Sequence, residues 1–207
     1  MKYLIVIAVL FVAKTLTAQT NYNDGMQNAL ELLQDHKWNE AEPIFEQLTV
    51  SDPNEWLPNY YMAQINSLKT WNEKDPEKVS TQLQKAQNYI DKAMAVDKDN
   101  ADILAMQALI LINWVAFDGM TYGMEYSAQI SDLYDKAYNL EPTNPMVVLG
   151  RAEWHMGSAR FFGQDTKPFC KDIEKAIKLF ANFKPESPFH PNWGKERAQQ
   201  MANSCKE

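Results

Sequence analysis

Three histidines, seven glycines and two cysteines are all that 207 residues contain of the residue types on which most site chemistry is built. His36, His155 and His190 lie far apart in the chain. Glu153 and His155 are two residues apart, so on a helix they point away from each other, the opposite of what a shared metal needs. With so few glycines, none at the required spacing, a phosphate-cradling loop is excluded. No G-x-S-x-G turn is present, which removes the usual serine nucleophile. Basic residues are also scarce where they would matter for nucleic acid: residues 19–166 carry 10 against 22 acidic side chains, and the whole chain is at −7. A phosphate backbone demands the reverse. Sustained period-two alternation is missing throughout, so no strand is expected.

One apolar run does stand out. Tyr3–Ala13 follows Lys2 and precedes Thr15-Leu16-Thr17-Ala18, with small residues suited to cleavage after Ala18. Residues 1–18 therefore read as a secretory signal, since a span of the bilayer needs about 20 apolar residues. No Asn-x-Ser/Thr acceptor occurs, which fits a bacterial envelope, periplasmic or secreted, better than a eukaryotic route.

What the chain has in abundance is helical periodicity. Four times a small or apolar residue is followed at +4 and +7 by further apolar or small ones: Ala41/Phe45/Leu48, Ala86/Ile90/Ala93, Ile130/Tyr134/Ala137 and Phe169/Ile173/Ala176. Each set lies on one helix face. A proline stands five residues beyond the first and third sets, at Pro53 and Pro142, and Lys98 takes that place after the second. A recurrence of roughly 40 residues means stacked helical hairpins, each hiding its apolar face against the next. Asp75-Pro76 and Asn144-Pro145 give helix starts, and Asn54, Asn100 and Thr166 are further candidate caps. Helices are expected at 22–35, 38–49, 55–69, 76–96, 101–117, 122–140, 145–161, 167–182 and 191–204. Gly119, Gly123 and Gly163 are assigned to turns, with extended turns at Thr70–Lys74 and Asp118–Tyr122.

The segments WNEAEPIFEQLTVSDPNE, AQNYIDKAMAVDKDNAD and ISDLYDKAYNLEPTNP resemble the second helix and closing turn of tetratricopeptide repeats (TPR). The whole is similar to small secreted members of bacterial envelopes ending in P-x-W-G, here Pro191-Asn192-Trp193-Gly194. The resemblance implies an all-α fold: a helical-hairpin repeat array, or TPR-like α-solenoid, of about four hairpins over 19–190. A C-terminal capping helix over 191–207 would follow. It also implies a non-enzymatic protein- or peptide-binding or scaffold module, with no catalytic residue, metal or cofactor.

Carried over from the repeat phase, the concave face would present Met26, Leu30, Leu33, Leu57, Tyr60, Gln64, Leu109, Asn113, Leu149 and Glu153. None is basic, which departs from repeats that grip carboxylate tails and suits an apolar or helical peptide. Two further occupants of that groove are the protein's own terminal helix and a second copy of the chain, a homo-oligomer. Exposed aromatics for a glycan, or service as a subunit of an envelope enzyme, are the alternative functions. Cys170 and Cys205 fall at the same level of two antiparallel helices, so a disulfide is favoured over two unpaired thiols in an exported chain.

Overall fold

The computed structural model describes residues 21–205, and every regular element among them is helical. The expected signal segment, residues 1–18, lies outside the described residues. The order is α1 (21–34), α2 (Trp38–Ser51), α3 (Trp56–Leu68), α4 (Pro76–Val96), α5 (Ala101–Phe117), α6 (Gly119–Leu140) and α7 (Pro145–Phe161). A 3₁₀ turn at Lys167–Phe169 runs into α8 (Cys170–Phe180), and α9 (Lys195–Ser204) closes the chain. None of these helices is long and apolar enough to cross a membrane.

Local chemistry explains where the helices begin. Asp75 accepts from the Glu77 N–H ahead of Pro76, and Asn100 and Asn144 accept from the amides two and three residues on. Each satisfies donors that a helix start leaves without partners. Asp118 does the same for Met120 and Thr121, so α6 starts at Gly119 and the expected turn over Asp118–Tyr122 does not form. Gly119 and Gly123 therefore lie inside a helix, where a Cβ would meet nothing within 4 Å. Asn54 and Thr166 make no side-chain cap: Glu55 precedes α3, and Thr166 precedes a 3₁₀ turn. The last helix begins at Lys195 rather than 191, because Gly194 at φ +97 interrupts the helical path.

Second helices are amphipathic. The sets Ala41/Phe45/Leu48, Ala86/Ile90/Ala93 and Ile130/Tyr134/Ala137 are buried, as are Ile173 and Ala176, while the opposite faces are wet. First helices are covered on nearly all sides: α3 and α5 each bury ten residues and α7 buries nine. They also touch along the inner face, α3 with α5 and α5 with α7, so first helices line the inside of the array and second helices its outside. Small residues permit the close approach. A Cβ on Gly150 of α7 would come within 2.7 Å of the Tyr134 ring on α6, so only glycine lets those helices meet.

Candidate functional site

The segment between α8 and α9, residues 181–194, is the part of the chain with most bearing on the site. Pro185, Pro188 and Pro191 keep it out of helix, since proline fixes φ and offers no N–H, and the His190 N–H closes a turn onto the Ser187 carbonyl. It crosses the inner face to the N-terminal half of the array. There the Tyr61 hydroxyl donates to the Phe189 carbonyl at 2.7 Å, and the Phe189 ring stands edge-on to Tyr22. The His190 ring stands edge-on to Trp56, and its Nδ1 is 2.7 Å from the Ser187 hydroxyl. The Trp193 indole N–H donates to the Tyr60 hydroxyl at 2.9 Å.

The strap then turns back at Gly194, where a Cβ would lie 2.9 Å from Leu149. Close packing and positive φ together make that position a glycine. From here α9 lies against α8, with Ala198 fully buried and Arg197 paired to Glu153 at 2.6 Å. A disulfide joins Cys170 to Cys205 and closes the loop of α8, strap and α9.

Occupation by the strap changes the meaning of the expected groove residues. Met26, Leu57, Tyr60 and Leu149 are core, each under 5 % exposed. Asn113 donates to the Ser67 hydroxyl, Glu153 holds Arg197, and Leu109 is half-buried against the main core. Leu30, Leu33 and Gln64 of the expected set line one open space. That space is a half-open cleft of about 850 Å³ between the N-terminal hairpins and the strap, called the chamber below. Leu30, Leu33, Leu68, Tyr61, Trp71 and Trp193 supply most of its apolar wall, with Pro185 and Pro188 of the strap closing one side. Trp71 is 61 % exposed, on the turn after α3, and stands at the mouth. Sequence periodicity could not find this chamber, because its wall comes from a turn and from an aperiodic strap.

Electrostatics at the site favour neutral groups. Burial pushes the Tyr60 and Tyr61 hydroxyls well above their ordinary range, with the Asp102 charge adding to it, so both stay protonated and hold the strap. Burial also lowers His155, with Arg151 contributing, and its ring stacks on Phe169 as a packing group.

Asp102, in the first turn of α5, is pushed up to about 6, mainly by withdrawal from water. The Asn144 amide, donating at 2.8 Å, opposes this, and the Glu141 charge reinforces it. A raised carboxyl binds its proton more tightly in the folded chain, so its favourable contribution is complete below about pH 4 and is lost as pH rises through 6. Asp102→Asn, which keeps an acceptor for Asn144, is expected to stabilise the protein by roughly 2 kcal/mol at pH 8. The gain should vanish by pH 4. Urea unfolding at the two pH values checks this; a loss of stability that is equal at both would contradict it.

Among the described residues no group of three or more histidine, cysteine or acidic side chains could hold a metal ion. Exposed aromatics among the described residues are Trp71, Phe117 and the Phe161/Phe162 pair; the rings of that pair are perpendicular and so ill-suited to a flat sugar face.

No family model and no curated protein sequence matches the chain. Solved structures do. The HusA haemophore from Porphyromonas gingivalis superposes with a TM-score of 0.78 at 18% identity, covering 89% of this chain and 92% of that one. TTC0263, a thermophilic TPR protein in Thermus thermophilus, gives 0.60 at 14% identity, over 88% of this chain and 79% of that one. The type IV pilus biogenesis factor PilW gives 0.53 at 18% identity, over 88% and 70%. At these identities the likeness is one of fold. The chain has the helical-hairpin architecture of TPR proteins.

Proposed function

We propose that the chain is an exported, non-enzymatic carrier whose chamber holds a compact, flat, largely apolar molecule of the tetrapyrrole class. The observation that carries this reading is the strap. It takes up the inner face that an extended peptide would need, and it leaves a chamber of about 850 Å³ walled by three tryptophans, Trp38, Trp71 and Trp193. That volume is in the range of roughly 300–1,000 Å³ that encloses a small molecule. Flat aromatic walls suit a flat ligand, since offset and edge-on ring contacts add to area burial. Support also comes from the fold neighbour described as a haemophore, which is similar over nearly the full length of both chains. The Cys170–Cys205 bridge is at home in an oxidising compartment, which agrees with export.

The peptide-binding reading needs the strap to leave. Tyr60, Tyr61, Trp193 and the disulfide all act against that. A glycan reading lacks coplanar exposed indole or phenol rings among the described residues.

Titration of the folded protein with protoporphyrin IX, followed by tryptophan quenching, tests the proposal. Wild type should saturate at one ligand per chain. Trp71→Ala should bind about tenfold more weakly, because one ring contact and its buried area are lost. Trp71 is largely exposed, so its removal should leave the melting temperature unchanged. Equal affinity in the two proteins, or no saturable binding at all, would overturn the assignment.

A further inference from the structure

A second, smaller cleft of about 480 Å³ adjoins the chamber, and the two share His36, Trp38, Lys69 and Glu73 as common wall. Its character is different. The chamber is mostly apolar, whereas this vestibule carries Lys37, Lys69 and Lys78. We propose that the vestibule is an anion subsite for the chamber's occupant, so that the ligand is a flat apolar body bearing one or more carboxylates, held by Lys37 and Lys78. This rests on the carrier reading above and adds to it the polar half of the ligand.

Three observations carry the assignment. The first is which lysines are free to move. Lys69 is only 18% exposed and is locked to Glu42, so it is committed within the fold. Lys37 and Lys78 are 50% and 66% exposed; their acidic neighbours Asp35 and Glu73 stand at 3.1 and 3.8 Å. Such surface pairs contribute little and exchange readily for a ligand carboxylate.

The second is the state of the acids that share the vestibule. Glu73 accepts from the backbone amides of Lys74 and Asp75, so its charge is already partnered by the chain itself. Glu40 sits in the first turn of α2, where the helix end compensates a negative charge. That helix end is itself part of the site. Lys37 to Glu40 line the vestibule, and α2 starts there without a side-chain cap, unlike α4, α5, α6 and α7.

The third is Gln82, also in the vestibule wall, whose amide oxygen position is buried and has no hydrogen-bond partner. A buried amide end without a partner is costly, and an amide can present either its acceptor or, turned over, its donor. Turned over, it presents an N–H donor, the orientation that suits a ligand carboxylate.

The test compares protoporphyrin IX with its dimethyl ester, which keeps the ring and removes both charges. Both are titrated into wild type and into the Lys37→Gln/Lys78→Gln double variant, whose exposed substitutions leave the fold intact. Wild type should bind the diacid at least tenfold tighter than the ester, and raising salt should shrink that advantage. The double variant should lose most of the preference while keeping its affinity for the ester. Equal binding of acid and ester by wild type would overturn the anion subsite and leave the carrier reading standing. An acid preference that survives in the double variant would overturn the assignment to Lys37 and Lys78. No binding of either compound would overturn the carrier reading, and this inference with it.

Discussion

Trp193→Ala should cost about 3 kcal/mol of stability and release the strap from the inner face. The indole is partly buried between the main core and the buried group around Leu149, Phe180 and Ala198, and its N–H is the partner of a Tyr60 hydroxyl that is otherwise sealed from water. Removing a large aromatic from such packing costs on the order of 3–5 kcal/mol when it is fully buried, and somewhat less here. A buried hydroxyl left without its partner adds to the loss. Trp193→Phe keeps one aromatic ring while removing the donor and part of the packed volume; a smaller loss, about 1–2 kcal/mol, is expected. Urea unfolding measures both. A change below 1 kcal/mol for the alanine variant would mean that the strap lies on the array without being held by it.

The second large effect concerns the bridge at the end of the same segment. Cys170→Ser/Cys205→Ser should destabilise the protein by on the order of 3–4 kcal/mol, because the bridge closes a separation of 35 residues and restricts the unfolded chain accordingly. The folded state should feel it too. Helix α9 buries only Ala198 completely, so it has little apolar surface of its own with which to stay docked. Reduction of wild type by dithiothreitol should match the double serine variant in midpoint, and in both the bound porphyrin should dissociate faster. An unfolding midpoint unmoved by reduction would contradict this role for the bridge.

The helical frame was legible because its signals are local. Asp75-Pro76 and Asn144-Pro145 announce helix starts through the chemistry of two adjacent residues. The buried sets around Phe45, Ile90, Tyr134 and Ile173 announce a face by spacing alone. Gly119 and Gly123 misled because a glycine reads as a breaker, whereas Asp118 caps α6 firmly enough for both to sit in its exposed first turns. Gly150 carried no signal at all, since its role emerges only when Tyr134 of the neighbouring helix is placed beside it.

The candidate site was far less legible. Repeat phase finds the residues that point inward, and Leu30, Leu33 and Gln64 do line the chamber. It cannot tell that Leu149 is roofed by Gly194 or that Tyr60 is roofed by Trp193, because a segment more than 130 positions from Tyr60 in the chain provides the cover. The strap has no period to read. Its prolines mark only a non-helical link, although the Pro191-Asn192-Trp193-Gly194 sequence was a pointer to its fixed end. Trp71 was hidden in the same way, by standing on a turn outside any repeat position.

The most direct measurement uses the six tryptophans as reporters, through the indole N–H signals of ¹⁵N-labelled protein titrated with metal-free protoporphyrin IX. Ring currents from a flat ligand in the chamber should shift Trp38, Trp71 and Trp193 and leave Trp114 and Trp154, in the C-terminal half, where they were. Shifts centred on Trp114 or Trp154, or none at saturating ligand, would contradict a chamber built from the N-terminal hairpins and the strap.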